Sequence, residues 1–364
     1  MMPTRDSEKD NLNCLRRIVR KLRVKLNATA IQNESMTLRV KSKILAGSAA
    51  RAILIGAGLV VASLTPARAV WIGQNSLNQS VTVDLKTAGP NNFSVLAVGG
   101  SANALSFGTG TFNGNIGDAH INPVLSGGTI NGNVFLGNGI DSSNLVGHGT
   151  INGTVFSNQD SFLSQPVADA NAAATDALSL KSTISRTTIT DSWFGSNTTK
   201  TITGSGTAGG TNVLKLSSIN LTQGQTLILK AGAANQKFLL EVTGTFNLSN
   251  SSSIVVDTGS GLAPLDVLYA LGANTHLTAS GTTSRASIID GIILASASNI
   301  NISNGQVNGE IIGGCDLVFG QTNTSANFSP IPEVSTFLPL LGFLSFATGG
   351  QLVMRRRTRP LAIA

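Results

Sequence analysis

The chain has 364 residues, 41% of them hydrophobic and only 12% charged, with 40 glycines, one tyrosine and two cysteines. That balance excludes a disordered polyelectrolyte, glycine without a three-residue period excludes collagen, and Cys14 and Cys315 cannot found a disulfide framework. The net charge of +7 sits at the ends: residues 1–69 hold 13 Lys+Arg against 4 Asp+Glu and the last ten residues hold four Arg, leaving 8 basic and 14 acidic residues, net −6, between them. A body of that sign repels phosphate, so no nucleic-acid partner is expected.

Residues 1–35 carry Arg16, Arg17, Arg20, Lys21, Arg23 and Lys25 among apolar positions. They read as an upstream extension of a mis-assigned start, with a lengthened basic region or a membrane-surface helix as alternatives. From Met36, the basic residues Arg39, Lys41, Lys43 and Arg51 precede an apolar run, Ile53 to Leu64, and then Pro66-Ala67-Arg68-Ala69. This is the pattern of a secretory signal peptide over 36–69. Small residues at Ala67 and Ala69 place the cut before Val70, with the Sec translocon and signal peptidase as implied partners.

Residues 70–320 form the body. Short β-branched runs alternate with Gly, Asn, Ser and Thr, and the run Gly110-Thr111-Phe112-Asn113-Gly114-Asn115-Ile116 recurs at Gly128 to Val134 and at Gly149 to Val155. A repeat near twenty residues suits one coil of a β-solenoid. In that frame Ile130 and Val134 point inward to stack on their equivalents, Asn faces out or caps a bend, and Gly forms the corner. Asn-Gly also favours hairpin turns, so a sandwich is the competing fold. Ile288 to Ile293 is echoed by Gln306 to Ile311. Further strands are expected at Leu227 to Leu229, Phe238 to Val242, Phe246 to Leu248, Ile254 to Val256 and Val267 to Leu271. One segment, Pro166 to Leu180, reads as a helix that begins at Pro166 and lays Val167, Ala170, Ala174, Ala177 and Leu178 along a sheet face. The fold class is therefore all-β: a β-solenoid with one α-helix alongside.

Phe93 to Gly99, Thr111 to Gly117, the Ala-rich helix and Lys237 to Val242 together resemble the ice-binding-like bacterial β-helix family. Asp266 to Tyr269, Asp290 to Ala295 and Asn308 to Gly313 look like the choice-of-anchor A domain of bacterial surface proteins. The first resemblance implies a discontinuous β-helix with a long helix packed beside it, and both imply a surface location.

A polar linker, 321–331, leads to Pro332, Glu333, Val334, Ser335 and Thr336, then to the uncharged run 337–354 and to Arg355, Arg356, Arg357 and Arg359. Eighteen residues at 1.5 Å each cover roughly 27 Å, enough for one membrane span with the arginines held in the cytoplasm. The order over 332–359 resembles the PEP-CTERM sorting signal, with Val334 in place of the second proline. That resemblance implies an exosortase as partner.

No constellation for catalysis, metal or cofactor stands out. His120, His148 and His276 are isolated, and the carboxylates are scattered. Thr199, Thr201 and Thr203 alternate along one run and are the candidate ice or glycan face, and Thr243 and Thr245 alternate similarly. The expected function is a non-catalytic, exosortase-processed surface or matrix protein, membrane-tethered and associated with extracellular polysaccharide. Ice binding on a Thr/Ser-rich flat β-face is the alternative, and a polysaccharide-active enzyme the third.

Overall fold

The computed structural model describes residues 69–326 except 91, 100–103, 146–148, 197, 283 and 321–323. Ala67, most of the signal segment, the motif 332–336, the span 337–354 and the terminal arginines lie outside the described residues. Among the described residues no helix is long and apolar enough to cross a membrane.

The described chain is mostly β, and apart from an N-terminal hairpin (Val70–Gln74 with Ser80–Asp84) its strands pair in parallel. Parallel pairing of consecutive coils is what a solenoid requires and what Asn-Gly hairpins in a sandwich would not give. Each coil visits three faces. Face I is built from Val155–Phe156, Val134–Leu136, Ile116–Asp118, Val95–Ala97, Ile311–Gly313, Ile292–Ala295, Val267–Leu271 and the first halves of Lys237–Leu248 and Thr211–Leu221. The second halves of those two long strands bend onto face II, with Thr188–Thr190, His276–Ser280, Asn299–Ser303, Leu317–Gly320, Ala104–Phe107 and Asn122–Leu125. Phe238 to Val242 and Phe246 to Leu248 thus belong to one strand rather than two. Face III contains Thr199–Thr203, Thr226–Lys230, Ser253–Val256, Ser287–Asp290, Gly305–Asn308, Thr324–Ala326, Gly110–Asn113, Thr129–Asn131 and Thr150–Ile151.

The winding is discontinuous. Three coils run from Val95 to Phe156 toward one end, a helix carries the chain back, and the remaining coils return from the other end to dock on the first coil. At this seam Ile311, Ile312 and Gly313 pair with Val95, Leu96 and Ala97, and Leu317 to Phe319 pair with Leu105 to Phe107. Phe107, Phe112 and Phe319 close the interior there, with centroids 4.8 to 5.6 Å apart.

The helix, α1, spans Asp160–Ser179, so it begins six residues before the expected Pro166 start. Pro166 cannot donate to the carbonyl one turn back and costs that bond. The first turn is held instead by packing: Leu163 is fully buried, and the Phe162 ring lies 4.7 Å from that of Phe135. Ala170, Ala174 and Ala177 are buried as the stripe required, whereas Val167 and Leu178 are only partly covered. The small residues let α1 approach face I, whose outward side chains include Leu239, Leu268, Ile292, Leu294 and Ile312. Trp71 and Val83 of the hairpin complete this second hydrophobic layer.

The repeated corners work as follows. Phe112, Ile130, Ile116 and Val134 point into the core, as alternation demanded. Gly132 and Gly153 are glycines because coils stack tightly at the corner: a Cβ on either would run into the carbonyl of the corner above, Gly114 or Gly132. Close approach rather than a left-handed backbone sets the residue at these two positions.

Candidate functional site: an uncovered polar face

With face I covered by α1 and the hairpin, faces II and III carry the outward side chains left to solvent. On face II the inward positions Ile189, Ile219, Phe246, Leu277 and Ile300 stack in the core. Strand alternation then turns their neighbours outward. Register places those neighbours in rows. One row reads Thr188, Ser218, Thr245, His276, Asn299, and the next reads Thr190, Asn220, Asn247, Thr278, Asn301, Val318, Ser106, Val124. Ser280 and Ser303 begin a third.

These rows contain no Lys, Arg, Asp or Glu. Thr188, Thr245, His276, Thr278 and Asn301 are exposed, and Val124 is 42% exposed. Asn247 Nδ2 donates to Asn220 Oδ1 at 2.7 Å, fixing two neighbouring side chains in one orientation. Parallel pairing sets neighbours within a row about 4.8 Å apart across the sheet, and the rows themselves lie roughly 6.6 Å apart along the strands. The result is a two-dimensional array of hydroxyl, amide and methyl groups on a backbone tied by ladder hydrogen bonds.

Thr199, Thr201 and Thr203 lie elsewhere, exposed on the edge strand of face III. Their partners in the next strand are Thr226, Ile228 and Lys230, so Thr199 continues into a hydroxyl row while Thr201 and Thr203 do not. Lys230 Nζ lies 3.6 Å from Asp257 Oδ2, adding an ion pair to this face. Of the sequence candidates, Thr245 stands on face II and Thr243 is exposed just before it. The remaining members of the face II rows were not singled out from sequence. Their signal is a polar-apolar-polar triplet around each inward residue, such as Ser218-Ile219-Asn220, Thr245-Phe246-Asn247 and His276-Leu277-Thr278, repeated once per coil.

Several carboxyls are buried away from the rows. Asp118 caps the Ile121 amide at 2.9 Å inside the fold, and burial lifts its pKa to about 7 against the pull of backbone hydrogen bonds from Ile121 and His120. Glu310 is fully buried at the seam, and desolvation pushes it well above the usual carboxylate range. On face I, burial raises Glu241, opposed by Lys215, whose Nζ lies 2.7 Å away and also donates to the Leu178 carbonyl near the end of α1. Trp71 and Tyr269 are buried, as expected of lone aromatics; Trp193 is partly covered and packs with Arg186 above its ring at 4.1 Å. Of the residues at the expected cleavage point, Ala69 precedes the first strand and Val70 opens it, where Lys237 Nζ donates to the Val70 carbonyl at 2.8 Å.

No curated protein matches the chain. Solved structures similar to it include an ice-binding protein from the Antarctic ascomycete Antarctomyces psychrotrophicus, at 17% identity over 68% of this chain and 98% of that one, with a TM-score of 0.39. An ice-binding protein from an Antarctic bacterium, Flavobacteriaceae, is 18% identical over 68% of this chain and 49% of its own, with a TM-score of 0.45. The Shewanella frigidimarina ice-binding protein domain is 14% identical over 66% and 97%, with a TM-score of 0.38. A family model described as "Putative Ice-binding-like adhesive domain" matches residues 72–315. This match corrects the expectation of an exosortase-processed, polysaccharide-associated matrix protein, because it favours the ice-binding alternative over that main reading. With most of its length inside the match, the chain belongs to the ice-binding-like adhesive domain family.

Proposed function

We propose that this protein binds ice through face II. The observation that carries the reading is the in-register array on face II, mostly Thr, Ser and Asn and without Lys, Arg, Asp or Glu, within a chain whose family model is ice-binding-like. Ice offers no pocket-filling group, so affinity must come from many weak contacts made at once. Such contacts add up only when the groups are held in place before binding, because ordering each side chain on contact would consume the gain. β-Branched Thr has few rotamers, ladder hydrogen bonds fix the backbone, and the Asn220–Asn247 bond orients two amides. The absence of Lys, Arg, Asp and Glu from the rows also keeps strongly held hydration shells off the surface. Secretion, as the signal segment implies, would place this face where extracellular ice forms, and N-terminal sequencing of the exported protein should then begin at Val70.

Thermal hysteresis and ice-recrystallisation inhibition by the purified protein test the reading. T278Y places a bulky ring in the middle of a face II row and should reduce both activities severalfold, while T201Y on face III should leave them near the parent value. The opposite result would move the site to Thr199, Thr201 and Thr203, and a parent protein without either activity would refute ice binding.

A further inference from the structure

Asn113, Asn131 and Asn152 stand one above another at the corner between faces III and I, each followed by glycine. Asn131 Nδ2 donates to Asn113 Oδ1, and Asn152 Nδ2 donates to Asn131 Oδ1, both at 2.7 Å. The ladder is directional. Asn131 uses its amide nitrogen and its amide oxygen, whereas Asn152 belongs to the coil at the end of the stack, is exposed, and has no ladder donor to its Oδ1 among the described residues. Asn308, also before a glycine, is held at both atoms: its Nδ2 donates to Asp290 Oδ1 at 2.6 Å and its Oδ1 accepts from Gln306 Nε2 at 2.7 Å.

We infer that Asn152 is a site of spontaneous deamidation and that the modification then moves inward along the ladder to Asn131. In an Asn-Gly pair the glycine amide nitrogen, after giving its proton to hydroxide, attacks the asparagine Cγ. The new N–C bond closes a succinimide as the Cγ–Nδ2 bond breaks, and Nδ2 leaves as ammonia. Water then opens either carbonyl of the ring, giving aspartate or isoaspartate.

The reaction needs the side chain to rotate away from its partners, so a side chain bonded at both amide atoms resists it more than one bonded at a single atom. Asn152 has one such bond and directly follows the edge strand Thr150–Ile151, where local opening costs least. At Asn113 the nucleophile is engaged as well, since the Gly114 amide donates to the Asn131 carbonyl at 3.0 Å. Conversion of Asn152 replaces the donor to Asn131 Oδ1 with a carboxylate. Asn131 thereby becomes the end of the ladder, and an isoaspartyl residue at 152 would also lengthen the backbone at a corner where Gly153 already abuts the Gly132 carbonyl. Asn138, exposed in a turn before Gly139, is an internal reference for an Asn-Gly pair outside the ladder.

Peptide mapping of the full chain during mildly alkaline incubation, with aspartyl and isoaspartyl forms resolved, tests this order. Asn152 should react on the timescale of Asn138, Asn131 should follow after a lag, and Asn113 and Asn308 should be slowest. In concentrated urea the five sites should converge on similar rates. N152S should abolish the lag at Asn131. Equal rates at Asn152 and Asn308 in the folded protein, persistence of the order in urea, or an unchanged lag in N152S would each overturn the inference.

Discussion

Faces I and II are built by the same coils, and even by the two halves of the same strands, yet one is buried under a helix and the other is left to water. Their inward residues are alike: Leu240 and Val242 on one side of the bend, Phe246 and Leu248 on the other. Their outward residues differ. Face I turns out Leu239, Leu268, Ile292 and Leu294 and is covered by α1, whereas face II turns out Asn247, Thr278 and Asn301 and is not. Inward alternation therefore specifies the solenoid, and outward chemistry specifies which face stays uncovered.

The largest effect expected is on the interior shared by both faces. Asp118 has a pKa of about 7 in the folded chain, against about 3.9 when unfolded. Between those values the folded state holds the extra proton, so this group's contribution to stability is complete below about pH 4 and is lost as pH rises through about 7. The loss amounts to roughly 4 kcal/mol at most. Urea unfolding across that range should show it, and D118N, which keeps an oxygen for the Ile121 amide, should flatten the slope.

Truncation on the covered face comes next. L268A should cost about 3 kcal/mol in urea midpoint stability, because Leu268 is fully buried beneath α1. N301A, at an exposed position of face II, should change stability by less than about 0.5 kcal/mol. A similar cost at the two positions would erase the distinction between the faces.

Ion pairs sharpen the same contrast at a smaller scale. K215A removes the partner of the mostly buried Glu241 and the bond to the Leu178 carbonyl, and should cost roughly 2 kcal/mol after allowance for the partial exposure of Lys215. K230A breaks the more open Lys230–Asp257 pair on face III and should change thermal stability by no more than about 0.5 kcal/mol.

Much of the solenoid was legible because its rules are local. Asn113-Gly114, Asn131-Gly132 and Asn152-Gly153 mark corners within one coil length of each other, and the alanines of α1 announce a helix that packs closely. The start of α1 differs because Pro166 is a strong local signal, whereas the contacts of Phe162 with Phe93 and Phe135 that outweigh it join segments far apart in sequence. The candidate face was harder still. Thr199, Thr201 and Thr203 draw attention by lying close in sequence, but a face is made across strands: Thr278 meets Asn247 on one side and Asn301 on the other only through register. Register is fixed by the inward residues, so the outward pattern becomes readable only after the coils are aligned.

The seam sets a timetable for making this molecule. Val95 to Ala97 leave the ribosome early, but the strand that covers one of their edges, Ile311 to Gly313, follows more than two hundred residues later. At about 5–20 residues per second the first coil waits roughly 10–40 s for its neighbour. Through that interval an apolar strand edge is available to any other extended chain, and the hydrogen bonds that close it have high contact order and form slowly. Completion of the nascent domain therefore depends on its last coil, and a chain interrupted before Ile311 would keep its first coil open however well the intervening coils had wound.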